Sequence, residues 1–169
     1  MYMDIFVISK DKAEFVSEEL LSQFGYKEYR NKAQKKIHQF SYLMIERILE
    51  NFYKIQNREL INDKKPVLKS REKYISLSHS GEYIVITFSD SNCGVDIEQV
   101  KQREYEKISE RMNFSSKSLK EFYLNWTEYE AVYKLGEAPR KIKKIEIPEY
   151  IITAASSNYD EKFEVYYNL

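Results

Sequence analysis

Apolar residues recur along this chain with two different periods, and the switches between them predict its elements. Tyr2–Ser9 (YMDIFVIS) is a short run of the β type. Lys12–Phe24 carries Ala13, Val16, Leu20 and Phe24 at helical spacing and stops at Gly25, a residue suited to ending a helix. Lys32–Phe52 predicts a longer helix, with Ile37, Phe40, Leu43, Met44, Ile48 and Phe52 on one stripe. Asn62–Pro66 has the composition of a turn. Strands follow at Lys73–Ser78, Tyr83–Ser89 and Cys93–Glu98, with turns at Ser80–Gly81 and Asp90–Asn92. The middle strand, YIVITFS, is apolar on both faces, which predicts burial on both. Gln102–Met112 and Ser118–Leu135 have helical patterns, and Lys141–Ile147, Tyr150–Ala155 and Phe163–Tyr167 read as closing strands. The basic run Arg140–Glu146 (RKIKKIE) is a solvated edge strand guarded by lysines, or a partner contact.

This order of strand, helices, strands, then helix and strands again predicts an α+β fold. Two similar α/β halves are expected, with antiparallel sheets packed against helices, although no sequence repeat stands out. Their junction falls near residues 91–100, giving an N-terminal half at 1–92 and a C-terminal half at 93–169. With 169 residues and 24 Tyr and Phe side chains, the chain can build a sizeable core. Four glycines and three prolines argue against disorder or a long linker.

Charge and cysteine content narrow the classes of function. The 27 Lys and Arg residues balance the 27 Asp and Glu residues, so a global basic field for nucleic acid is absent. The single cysteine, Cys93, rules out an intrachain disulfide and suits a reducing compartment. The N-terminus lacks the basic start and cleavage site of a secretory signal. No apolar run approaches the ~20 residues that span a bilayer. A cytoplasmic protein without membrane or nucleic-acid partners is expected.

Three stretches could carry chemistry. In Asn125–Lys134 (NWTEYEAVYK), Trp126, Glu130 and Lys134 recur every four residues. Leu119, Phe122, Tyr123, Trp126 and Tyr133 form an apolar stripe, with Glu130 near its middle and Lys134 at its edge. A carboxylate there needs a partner. An i,i+4 pair with Lys134 is the plain solution, worth a few tenths of a kcal/mol, roughly; a metal or a substrate is the other. In Gly94–Val100 (GVDIEQV), strand alternation places Asp96 and Glu98 on one face with Gly94. That is a half-exposed acidic strand, or an oxygen-rich Mg²⁺ site in which Gly94 leaves room for a ligand. In Ser76–Tyr83 (SLSHSGEY), His79 stands between serines at a strand end, as a capped loop or as donors to a phosphate.

Taken in order, Lys65–Pro66, SLSHSG, GVDIE and the helix with Trp126, Glu130 and Lys134 resemble the 4′-phosphopantetheinyl transferase superfamily, and specifically its surfactin-synthetase-activating branch. The resemblance covers roughly Lys65 to Gly136. It implies a pseudo-twofold α+β fold that binds coenzyme A between its halves. It also implies transfer of phosphopantetheine to a serine of an acyl or peptidyl carrier protein, with release of 3′,5′-ADP. By the resemblance, Asp96, Glu98 and Glu130 surround Mg²⁺, and Glu130 is the base. Ser78 and His79 lie at a coenzyme A phosphate, and Lys65 and Pro66 near the adenine. Lys134 assists the leaving oxygen, and Trp126 positions the catalytic helix. A monomer is implied, since one chain supplies both halves of the site. Three departures mark this chain: Tyr129 stands where the family commonly has a lysine, Lys64 replaces the usual glycine before Lys-Pro, and the segments before Trp126 and after Gly136 are short. Arg30, Lys32, Lys35 and Lys36 are candidates for the coenzyme A 3′-phosphate. The alternative is a relative that binds coenzyme A or a carrier protein with little transfer.

Overall fold

Strand β1 (Tyr2–Ser9) is buried along almost its whole length because both of its faces meet apolar layers. In the computed structural model, which describes residues 1–24, 31–62 and 65–167, Phe6 and Ile8 point into one core and Met3, Ile5 and Val7 into another. The first core lies under helix α2 (Lys32–Asn51), which contributes Phe40, Leu43, Ile45, Ile48 and Leu49. Asn31 caps that helix by accepting from the Ala33 and Gln34 amides. The second core joins two sheets face to face.

The strands after α2 are β2 (Leu60–Asn62), β3 (Pro66–Leu68), β4 (Tyr74–Ser80), β5 (Tyr83–Ser89) and β6 (Cys93–Gln99). Helices α3 (Glu106–Met112) and α4 (Leu119–Leu135) follow, then β7 (Lys141–Ile147), β8 (Tyr150–Ser156) and β9 (Lys162–Tyr167). The first sheet has the order β2-β3-β4-β5-β1-β9, and the second β6-β8-β7. Every pairing is antiparallel except β1 with β9, so the strand latest in sequence lies in the sheet of the earliest. The fold is α+β, with antiparallel sheets and helices, as the pattern predicts.

One topological unit occurs twice. In the first sheet β1 leads through α2 to the hairpin β4–β5, and β5 pairs with β1. In the second, β6 leads through α4 to the hairpin β7–β8, and β8 pairs with β6. As expected for YIVITFS, β5 is buried on both faces.

Several expectations are corrected. The helix expected over Lys12–Phe24 is instead a 3₁₀ segment at Lys10–Phe15 and a short helix α1 (Glu18–Ser22). Ser17 separates them in extended conformation, and its hydroxyl accepts from the Leu20 amide. This local cap outweighs the helical spacing. The expected stop at Gly25 lies outside the described residues. The turn expected over Asn62–Pro66 has strand residues at both ends, with Asn62 opposite Pro66; residues 63 and 64 lie outside the described residues. The helix expected from Gln102 begins only at Glu106. Tyr133, expected on the apolar stripe of α4, is 71% exposed. The buried row is Tyr123, Thr127, Ala131 and Leu135, with Phe122 beside it.

Candidate functional site

Strand β6 is an edge of the second sheet, and its outward backbone groups need partners. Strand β4 supplies them. Its alternating serines form a row of hydroxyls facing β6. Ser76 Oγ accepts from the Val95 amide at 3.0 Å. Ser78 Oγ donates to Asp96 Oδ1 at 2.7 Å. Ser80 Oγ donates to Glu98 Oε2 at 2.8 Å and accepts from the Gln99 amide at 3.1 Å. The S-x-S-x-S spacing of SLSHS thus sews β4 to β6.

Helix α4 covers the face of β6 that carries Gly94, Asp96 and Glu98. It starts at Ser118, which caps the Glu121 amide, and ends at Gly136 in the left-handed region. A Cβ on Gly94 would collide with the carbonyl of Ala131 and stand 2.7 Å from the Leu135 amide. Gly94 therefore makes room for the helix backbone, not for a ligand as the sequence suggested. That close approach brings Lys134 onto β6, where Nζ donates to Asp96 Oδ1 at 2.8 Å and to the Val95 carbonyl at 3.1 Å. The i,i+4 pair between Glu130 and Lys134 is not formed; Lys134 pairs across the fold instead.

Asp96 is 4% exposed. Its Oδ1 takes two donors, while Oδ2 is buried and has no hydrogen-bond partner. Such an orphaned acceptor costs roughly 1–3 kcal/mol unless something fills its place. Burial pushes the neighbouring Glu98 carboxyl above its ordinary value, and the Asp96 charge pushes the same way, against the donors Ser80 and Trp126 and the Lys134 charge. Two acids crowded in a half-dry niche favour a cation.

Glu130 lies on the same helix, half-buried, with no hydrogen bond or ion pair among the described residues. Among those residues no three His, Cys, Asp or Glu side chains converge tightly enough to hold a metal by themselves. Asp96 and Glu98 are therefore brought together, and Glu130 is not drawn into the same cluster. Tyr129 is 44% exposed, with its ring 6.3 Å from Trp126 and 6.1 Å from Phe114. It lines an open groove of about 870 Å³ on the outer face of α4 that contains neither β6 carboxylate.

The remaining candidates flank this centre. Lys65 Nζ donates to Asn92 Oδ1 at 2.9 Å and to the Lys134 carbonyl at 3.2 Å. Asn92 in turn donates to the Leu135 carbonyl at 2.8 Å. Both residues satisfy carbonyls at the C-terminal end of α4 that the helix leaves open. Pro66 is buried in β3. A concavity of about 440 Å³ opens at Lys65 and Pro66, with Arg71 and Lys73 on its wall. The His79 side chain reaches solvent, yet surrounding protein pulls its imidazole below its ordinary value, aided by the charges of Lys10 and Lys134. Lys10 Nζ donates to the Gly81 carbonyl at 2.8 Å and shares a concavity of about 480 Å³ with Lys36. Lys32 and Lys35 line a neighbouring one, and Arg30 lies outside the described residues. Sequence reasoning missed Ser76, Ser80, Asn92 and Lys10; only the regular spacing of the serines offered a signal.

Neither protein-family models nor curated proteins give a match to this chain. Among the described residues, no helix is long and apolar enough to cross a membrane.

Proposed function

We propose that this protein is a Mg²⁺-dependent 4′-phosphopantetheinyl transferase that moves phosphopantetheine from coenzyme A to a serine of an acyl or peptidyl carrier protein. The observation that carries this reading is Asp96, whose Oδ1 is tied by Ser78 and Lys134 while a buried Oδ2 beside Glu98 has no partner. A hard cation that binds through one or two carboxylates and substrate phosphates suits that oxygen. The repeated strand–helix–hairpin unit supports the pseudo-twofold form of the fold, with coenzyme A bound between the halves.

Asp96 and Glu98 would hold Mg²⁺. When bound, the ion neutralises charge building on the phosphate oxygens. The residues of the chain do the rest. Glu130, one turn before Lys134 on α4 and without a hydrogen bond or ion pair among the described residues, takes the proton of the carrier serine. The serine oxygen bonds to the β-phosphorus of coenzyme A, and the bond from that phosphorus to the bridging oxygen breaks, so 3′,5′-ADP leaves with the electron pair. Lys134 uses two of its three donors within the protein and keeps one for the leaving oxygen. His79, which feels the charges of Lys10 and Lys134, faces the phosphates. Lys65 and Pro66 border the concavity that takes the adenosine end. Trp126 steadies Glu98 from α4.

A second reading is favoured by Tyr129, an uncharged ring against Trp126 and Phe114 where the resembling enzymes carry a lysine. The protein would then bind coenzyme A or a carrier and transfer poorly. Incubation with coenzyme A, Mg²⁺ and a panel of apo carrier proteins separates the two. Under the first reading, mass spectrometry finds the phosphopantetheine increment on at least one carrier, and Tyr129→Lys raises the rate by about tenfold, the worth of one charged hydrogen bond. Coenzyme A binding without any carrier modification selects the second reading. Absence of coenzyme A binding removes both.

A further inference from the structure

We infer that Ser78 and Ser80 are positioning residues, whose hydroxyls fix the Asp96 and Glu98 carboxylates for a divalent cation; this rests on the reading above. A serine hydroxyl carries a single proton. Ser78 gives its proton to Asp96 Oδ1 and is buried, so it has none left to offer a phosphate in this arrangement. Lys134 reaches the same oxygen, so Oδ1 is closed by two donors and only Oδ2 is presented. Ser80 gives its proton to Glu98 Oε2 and takes the Gln99 amide on its lone pair. The hydroxyl is therefore pinned from the backbone and cannot swing away from the carboxylate. Each acid is thus held from one side by β4 and approached from the other by α4, through Lys134 for Asp96 and Trp126 for Glu98.

The same strand contains its own control. Ser76 lies two residues earlier on the same face, but its hydroxyl meets only the backbone amide of Val95 among the β6 groups. If the serine row merely joins the sheets, the three positions are equivalent. If Ser78 and Ser80 set the carboxylates, they are not. Groups that orient metal ligands from behind typically cost 10–100-fold in metal affinity when removed, roughly.

The test is Mn²⁺ binding, read from the electron paramagnetic resonance of the free ion. Mn²⁺ is titrated into the full chain with coenzyme A at saturation and corrected for coenzyme A alone, with thermal melts alongside. Ser78→Ala and Ser80→Ala are each expected to weaken Mn²⁺ binding by about tenfold, while Ser76→Ala lowers only the melting temperature. Ser80 is less buried than Ser78, so Ser80→Ala carries the test if Ser78→Ala does not fold. Equal loss of affinity in all three variants, or no loss in Ser78→Ala and Ser80→Ala, overturns the inference and leaves the transferase reading standing. A wild-type chain that binds no Mn²⁺ overturns both.

Discussion

Asp96 and Glu130 are two acids to which the proposed function gives roles, and their surroundings differ. Asp96 is enclosed and half-satisfied; Glu130 has no partner among the described residues. Glu130→Ala therefore costs little stability, because no hydrogen bond or ion pair among the described residues is broken. It is expected to lower transfer by 100-fold or more, about the contribution of a positioned base, with an unchanged circular dichroism spectrum. Transfer at the wild-type rate would remove Glu130 from the mechanism. His79 gives a prediction in pH. Its folded pKa lies below the ordinary 6.5, chiefly from desolvation by the surrounding protein and next from Lys10 and Lys134. As pH falls through 6.5 the unfolded chain takes up the proton first, so His79 removes stability over that window, down to its folded pKa. An anion set between the two lysines reverses their push. NMR titration is expected to show the His79 pKa rising when 3′,5′-ADP is added, and an unmoved value would place the phosphates elsewhere. The strand period was enough to put Asp96 and Glu98 on one face, whereas only the family resemblance set Lys134 beside them. The Lys134 partner was not legible, because an i,i+4 neighbour and a residue on another strand compete for one ammonium, and only the close packing of α4 on β6 decides between them.

Among the elements, β6 and α4 act as one piece. Gly94 lets the helix backbone lie against the strand, and the Ala131 carbonyl occupies the space a side chain would need. Gly94→Ala is expected to destabilise the protein by ~3 kcal/mol or more, since backbone must move to admit the methyl group. Thermal or urea unfolding measures it, and a loss under about 1 kcal/mol would mean the helix slides freely. Any shift of α4 also carries Lys134 away from Asp96, so the ion pair loosens together with the packing. The longer strands were legible, because burial on one face or two leaves a period of 2 or an unbroken apolar run, but β2 and β3, three residues each, are too short to show either. The 10–24 region was not. Its apolar residues have helical spacing, but Ser17 offers a competing local bond, and Phe15 is left 87% exposed. The serine row of β4 was visible as a pattern, yet its meaning depends on which strand lies opposite, and sequence spacing says nothing of that.

At the level of the molecule, the two sheets share one core and one seam. Met3, Ile5 and Val7 pack on Val95, Ile97 and Ile152. Lys65 and Asn92 hold the end of α4, and β4 is sewn to β6. The α+β class was legible from the sequence of elements. The destination of β9 was not, because a strand carries no mark of the sheet it joins, and its neighbour β1 lies at the far end of the chain. That pairing has a consequence during synthesis. As the chain leaves the ribosome, β1 emerges before β5 and pairs with it early, but its other edge stays bare until β9, the last of the described strands, appears. A nascent or truncated chain therefore displays an open strand flanked by apolar residues, a template for pairing with other chains. The same closure makes the final strand a latch, so the first sheet is finished only after the whole second sheet has been made.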